Sequence, residues 1–313
     1  MIDLNNIHQN NWAHTRVSIL GAGLSGIAAA NLGRYVGAEI FISDKNNSRE
    51  IAEKLHEFKH ETGGHSEKIL NTDLLILSPG IPDNIPIIQK CREKNIPIVS
   101  EIEFASWFTE SPILALTGSN GKTTTVNLLH EMCIRDGEKS LLGGNVGLPF
   151  SENVLWELTS DITGSVHVLE LSSFQLDGIK EFKPNVAIIL NITTDHLNRY
   201  ENDFNKYIES KFRITMNQKK EDVLIYNKDD KAIKKGLKTK AKTIAITLEN
   251  QMEVEGAFYK NNEIIGPVLG GPPAYSVVTA SKQNKRTGIV SKIGKDFPKY
   301  LLNIFKINNI DTN

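Results

Sequence analysis

The sequence predicts an α/β protein: a Rossmann-like domain over residues 1–110, a P-loop α/β domain over 111–265, and an atypical tail over 266–313. Three observations carry this. Short apolar runs of strand length alternate with helical stretches through the first two thirds of the chain, which is the pattern of βαβ units and a mostly parallel sheet. A glycine-rich strand-to-helix turn occurs twice, at Gly21 and at Gly118, each after an apolar strand. Between the two series, 109–112 reads as a linker, with the boundary near Ser111.

In order along the chain, 16–20 is a β-rich run and 27–35 an Ala-rich helix. Strands are predicted at 39–43, 74–78 and 96–100, with helices at 48–59 and 87–94. The second series predicts strands at 113–116, 166–171, 186–189, 223–226 and 243–246. Its helices fall at 123–135 and 203–217. After Ile265 come the Gly/Pro-rich stretch 266–273 and a basic stretch 280–299 with little apolar periodicity. Both read as a partly disordered tail.

Composition narrows the class. Hydrophobic content of 40% and charged content of 23% suit a soluble globular protein, and a net charge of -1 offers nothing to a nucleic acid or an anionic membrane. The two cysteines, Cys91 and Cys133, form neither a disulfide framework nor a metal spacing, and they fit a reducing cytoplasm. The opening residues 1–16 are polar, without the apolar stretch of a secretory leader. No apolar run approaches the ~18 residues needed to cross a bilayer. The expectation is a cytoplasmic monomer.

Gly21-Ala22-Gly23-Leu24-Ser25-Gly26 opens a helix, and Asp44 ends the next strand. Glycines there let the backbone approach a pyrophosphate at a helix N-terminus while the acid binds a ribose, so the segment has the form of a dinucleotide fingerprint. It also reads as no more than a tight strand-to-helix turn. The loop Ser78-Pro79-Gly80-Ile81-Pro82 closes a later strand and is expected to face the same crevice.

The second loop, Thr117-Gly118-Ser119-Asn120-Gly121-Lys122-Thr123-Thr124, has a P-loop core with glycines closer together than the common spacing. Backbone N–H groups of 118–122 would point at phosphate oxygens, Lys122 would neutralise them, and the Thr123 hydroxyl would ligate Mg²⁺. This predicts ATP as cofactor. Three polar clusters follow at strand ends: Gly143-Gly144-Asn145-Val146-Gly147, Glu170-Leu171-Ser172-Ser173-Phe174-Gln175, and Asn191-Ile192-Thr193-Thr194-Asp195-His196. Each alone is a strand cap. Together they supply a carboxylate, hydroxyls and a His, as a phosphoryl-transfer site requires. Glu170 at the end of an apolar strand is costly to bury without a cation or a hydrogen-bond network. His196, following Asp195 in a polar turn, reads as a metal ligand rather than a core residue. Lys211, on residue types alone, reads as a solvated helix charge.

These motifs, in this order from about Val17 to about Ile265, resemble the Mur ligase family. The Phe174-Gln175-Leu176 after the double Ser is similar to its D-glutamate-adding branch. The resemblance implies that the first domain holds the UDP part of UDP-MurNAc-L-alanine through Ala22, Gly23, Leu24, Ser25, Asp44, Lys45, Ser78, Pro79 and Gly80. It implies that Gly118, Ser119, Asn120, Gly121, Lys122, Thr123 and Thr124 bind ATP. Thr123 and Glu170 would ligate one Mg²⁺ and His196 a second. Asn145, Ser172 and Gln175 would position the nucleotide sugar, and Lys211 matches a lysine carried as a carbamate, an anionic ligand near the metals. Lys122, His196 and Lys211 are then the catalytic set, and D-glutamate the second substrate. The family's third domain and its Leu-Pro-Gly-Lys-His-Asn-like segment have no counterpart here, so a truncated ligase with little activity is expected. Two other readings stand beside it: a non-catalytic binder of nucleotide sugars, and a nicotinamide-dependent oxidoreductase. The oxidoreductase leaves the second phosphate loop unexplained.

Overall fold

The computed structural model describes residues 11–160, 164–248, 256–260, 263–265, 287–288 and 310–311. The first sheet has five parallel strands: β1 (Arg16–Leu20), β2 (Glu39–Asp44), β3 (Lys59–Thr62), β4 (Leu74–Leu77) and β5 (Ile98–Ser100), in the order β3-β2-β1-β4-β5. Helices α1 (Leu24–Tyr35), α2 (Arg49–Leu55) and α3 (Pro86–Glu93) connect them. Strand order reverses beside β1, so the loops leaving β1 and β4 open there, at the carboxyl edge where ligands sit in such sheets. The inner strands are covered on both faces, hence the continuous apolar runs of Val17, Ile19, Leu20 and of Leu74, Leu75, Ile76.

The connecting helix α4 (Glu101–Ser106) leads into a second sheet. Its strands are β6 (Ile113–Thr117), β7 (Lys139–Gly144), β8 (Ser165–Glu170), β9 (Val186–Ile189), β10 (Val223–Asn227), β11 (Lys242–Thr247), β12 (Gly256–Lys260) and β13 (Glu263–Ile265). Their order is β13-β12-β11-β10-β9-β6-β8-β7, parallel except for the β12–β13 pair. Helices α5 (Lys122–Arg135), α6 (Phe150–Thr159), α7 (Ser173–Asp177), α8 (Phe204–Phe212) and α9 (Lys231–Gly236) cover it. None of the described helices is long and apolar enough to cross a membrane.

Several elements depart from the sequence expectation. The helix expected over 48–59 stops at Leu55, and Lys59–Thr62 is an edge strand. Its residues Lys-His-Glu-Thr lack an apolar face because an edge strand blunted by charge need not bury one. The helix expected over 203–217 ends at Phe212 and tightens into a 3₁₀ turn, Arg213–Thr215. α4, β7 and α6 occupy stretches to which the sequence assigned no element. The tail expectation for 266–313 falls outside the described residues, apart from Thr287–Gly288 paired with Ile310–Asp311.

α4 is short, yet it joins the two sheets through buried carboxylates. Ser100 caps it, accepting from Glu103 N, while Ser100 N donates to the Gly178 carbonyl at 2.9 Å. The Glu103 carboxylate accepts from the backbone N–H groups of Lys180, Glu181 and Phe182 at 2.7, 2.8 and 2.9 Å, and from Trp107 Nε1 at 2.8 Å. Glu101 accepts from Ser151 N, near the start of α6, at 2.5 Å, and burial pushes its carboxyl up to about 7. One apolar core runs through both layers and includes Leu32 of α1, Ile102, Phe104 and Ala105 of α4, and Val154 of α6.

Glu103→Ala strips four donors of their acceptor in a buried setting. At about 1–3 kcal/mol per unsatisfied group, a loss of about 4 kcal/mol is expected. Urea unfolding measures it, and a loss below about 1 kcal/mol would mean that water or a neighbour takes over these donors.

Candidate functional site

The phosphate loop follows from where glycine is required. Gly121 caps α5 with φ +79°, and a Cβ on Gly118 would come within 3.1 Å of Leu190 Cβ and 3.4 Å of the Asn191 carbonyl. α5 has no side-chain cap, so its leading N–H groups face outward as an anion site. The segment leaving β9 laces the loop from behind. Ser119 N donates to the Asn191 carbonyl at 2.9 Å and Asn120 N to Asn191 Oδ1 at 2.8 Å, while Asn191 Nδ2 returns a bond to the Asn120 carbonyl. Ser119 Oγ donates to the Thr193 carbonyl and accepts from Thr193 N, both at 2.9 Å. Lys122 Nζ lies 2.9 Å from the Ser119 carbonyl. A cavity of about 340 Å³ results, lined by Ser119, Asn120, Gly121, Lys122, Thr123, Thr124, Asn145 and Glu170. Asn120, Gly121, Thr123 and Thr124 are exposed, so it opens to solvent.

Glu170 is buried at the end of β8, with both carboxylate oxygens engaged. One accepts from Thr123 Oγ1 at 2.9 Å and the other from Asn145 Nδ2 at 2.8 Å. Asn145 is placed by Gly144, whose φ of +97° brings it so close to Glu170 that a Cβ would sit 2.3 Å from the Glu170 carbonyl. Thr123 and Glu170 thus present hydroxyl and carboxylate oxygen beside the loop, a donor set that suits a hard cation such as Mg²⁺. Among the described residues no three His, Cys, Asp or Glu side chains cluster as a metal site. Phosphate oxygens and water would suit the remaining positions around such an ion.

Lys211 overturns the reading as a solvated charge. It is buried on α8, with Nζ 3.0 Å from the Gly118 carbonyl and 3.2 Å from Thr117 Oγ1. Burial, then the nearby Lys122 charge, lowers its pKa to about 7. α8 buries Tyr207, Ile208, Ser210 and Lys211, a mixed set that residue types alone do not mark as the packed face. His196 is exposed, with Nε2 3.5 Å from Asp195 Oδ2 and its ring 5.5 Å from Phe174. It does not line the cavity. Ser172 and Gln175 form the capping box of α7: Gln175 N donates to Ser172 Oγ, and Gln175 Oε1 accepts from Ser172 N at 2.9 Å.

In the first domain, a Cβ on Gly26 would lie 1.9 Å from the Gly21 carbonyl, which explains the third glycine of the fingerprint. Asp44 accepts from Ala22 N at 2.6 Å and from Asn46 N at 2.7 Å. Ser78 Oγ donates to the Gly21 carbonyl at 3.1 Å, so the loops after β1 and β4 are tied together. Gly23 and Gly80 have open space where a Cβ would be, and Leu24 is exposed beside them. Pro79 lies on the loop after β4, and Lys45 follows Asp44 on the loop after β2. Sequence reasoning missed the Ser43 hydroxyl at this edge, 2.8 Å from both Glu61 Oε1 and His65 Nδ1. The double glycine before His65 was its only signal. Arg199 was also missed; it reaches the Ile81 carbonyl at 2.7 Å.

Residues 116–265 match the family model of the Mur ligase middle domain, and 15–100 that of the MurD-like N-terminal domain. A UDP-N-acetylmuramoylalanine–D-glutamate ligase of Christiangramia forsetii is 44% identical over 258 residues, covering 80% of this chain and 56% of that protein. One of the same name from Chlorobaculum parvum is 44% identical over 221 residues, covering 68% and 46%. The chain thus spans about half the length of the curated relatives it matches. Among solved structures, a UDP-N-acetylmuramate:L-alanyl-gamma-D-glutamyl-meso-diaminopimelate ligase from Neisseria meningitides superposes with a TM-score of 0.55 at 14% identity, over 86% of this chain and 94% of that one. That likeness is one of fold.

The depressed Lys211 pKa has a definite sign in stability. Between about 7 and 10.5 the unfolded chain holds a proton that the folded chain lacks, so stability rises with pH across that window. Relative to Lys211→Met, the wild type should gain about 1 kcal/mol per pH unit between pH 7.5 and 9.5. Urea unfolding at several pH values checks this, and parallel profiles would mean that Nζ stays charged when folded.

Proposed function

Since the chain belongs to the Mur ligase family, we propose that it carries the nucleotide-sugar and ATP sites of a ligase joining D-glutamate to UDP-N-acetylmuramoyl-L-alanine. The observation that carries this reading is the open amide loop at 118–122 with the Thr123–Glu170 oxygen pair beside it. That arrangement binds the phosphates of ATP with a divalent cation. The two loops tied by Ser78 and Gly21, with open space beside Gly23 and Gly80, would receive the UDP moiety. The name and 44% identity of the relatives support the choice of amino acid.

In this reading the terminal carboxylate of the nucleotide sugar attacks the γ-phosphorus of ATP, ADP leaves, and an acyl phosphate forms. The amine of D-glutamate then adds to the acyl carbon, and phosphate departs with the amide bond made. The amides of 118–122 and Lys122 offset charge on the transferring group. Thr123 and Glu170 would hold Mg²⁺, which supplies charge neutralisation across the phosphates. His196 would serve a second ion only after moving toward the cavity. Lys211 is suited to a carbamate because a neutral buried amine is the form that adds CO₂, losing a proton as the C–N bond forms. Asn145, Ser172 and Gln175 would act on the sugar side, the last two mainly by fixing α7.

Lys122→Ala should weaken Mg-ATP binding about 100-fold, since it deletes a charge-assisted contact to phosphate. Calorimetric titration measures this, and unchanged affinity would refute the loop assignment. A polypeptide of these 313 residues should bind UDP-MurNAc-L-alanine but release little phosphate. Its loop lies open to water, and acyl-phosphate chemistry needs water excluded. The test is phosphate release with ATP, the nucleotide sugar and D-glutamate, beside titrations with the sugar and with NAD. Rapid D-glutamate-dependent release would overturn the expectation of low activity. Tight NAD binding with none for the sugar would favour an oxidoreductase.

A further inference from the structure

The segment that laces the phosphate loop runs directly on to a side chain that grips the first domain. After Asn191 and Thr193 come the left-handed His196 (φ +48°), a 3₁₀ turn over Leu197–Tyr200, and the left-handed Glu201 (φ +54°). Left-handed residues that are not glycine persist only where surrounding contacts over-determine them. Here Tyr200 anchors the turn: it is buried, and its hydroxyl donates to Asp177 Oδ2 at 2.8 Å. The turn presents Arg199, whose guanidinium carbon lies 4.1 Å from the centroid of the Phe174 ring. Arg199 Nη2 donates to the Ile81 carbonyl of the first domain at 2.7 Å. Ile81 N in turn donates to the Ser78 carbonyl, and Ser78 Oγ to the Gly21 carbonyl.

A continuous set of contacts therefore runs from the phosphate loop, through 191–200, to both loops of the first domain. We propose that Arg199 is a positioning residue that couples the two ligand sites, so that filling the phosphate loop at 118–122 changes the affinity of the loop at 78–82 for the nucleotide sugar. This rests on the proposed assignment of the sugar to the first domain. A guanidinium suits the task because its flat face rests on the ring while its edge donates to the carbonyl. An ammonium reproduces only the second contact.

The experiment titrates the full 313-residue protein with UDP-MurNAc-L-alanine, with and without saturating Mg²⁺ and a non-hydrolysable ATP analogue. The wild type is expected to show a change in sugar affinity of about 5-fold or more, equal in size when the order of ligands is reversed. In Arg199→Ala the factor should fall below about 2-fold while the analogue alone still binds, and Arg199→Lys should fall between the two. Phe174→Leu, which keeps apolar volume but removes the ring face, should also reduce it and carries the test if Arg199→Ala does not fold. An unchanged factor in the variant that folds overturns the proposal, as does a wild-type factor of one. A wild type that binds the analogue but never the nucleotide sugar overturns the functional reading as well, which separates the two failures.

Discussion

Leu116 of β6 pairs with Glu170 of β8 on one side and with Ile188 of β9 on the other, and Thr117 pairs with Ile189. Because all three strands are parallel, they end together, and the loops after them emerge at one edge. The phosphate loop, the Glu170 carboxylate and the lacing residues 191–193 are neighbours for that reason alone. A shift of one residue in the β6–β8 pairing would turn Glu170 to the opposite face of the sheet and separate it from Thr123, and one in the β6–β9 pairing would displace the lacing residues. The chemistry at 118–125 depends on this register more than on any single side chain.

Buried ionisable groups are the cost of the arrangement, and they are accommodated in two ways. Glu170 and Glu103 are satisfied by hydrogen bonds, the first from Thr123 and Asn145, the second from three backbone amides and an indole. Glu101 has one oxygen without a partner, and burial shifts it toward the protonated form. Lys211 donates to two neutral oxygens, the Gly118 carbonyl and Thr117 Oγ1, and burial lowers its pKa to about 7 despite the nearby carboxylates. How a buried ionisable group is accommodated follows from the donors or acceptors facing it, not from the group's identity alone.

That distinction marks what the sequence could and could not reveal. Glycine requirements are local, so the turns at Gly21 and Gly118 and the strands before them were legible, as was the polar end of β8. Lys211 was not, because its environment is assembled from β6 and the phosphate loop, far away in sequence. β3 escaped because an edge strand has no apolar period to display. The role of α4 was hidden for a similar reason. Glu101 and Glu103 look like ordinary first-turn acids, and only tertiary packing turns them toward Ser151 and the 180–182 backbone.

The fingerprint at 21–44 shows the opposite error, a local pattern that promises more than it contains. Gly26 is needed because α1 comes too close to the Gly21 carbonyl for any side chain, and Gly21 because its φ is +99° and a Cβ would meet Ser78. Asp44 accepts from Ala22 N and Asn46 N, so it closes the turn before it meets any ligand. A carboxylate has lone pairs left for a ribose hydroxyl, but binding one is not what holds it there. These residues are therefore demanded by the strand–turn–helix itself, whichever nucleotide it serves. The identity of the ligand has to be decided by what surrounds the turn: the Ser78 loop tied to Gly21, the exposed Leu24, and Arg199 reaching across from the other domain.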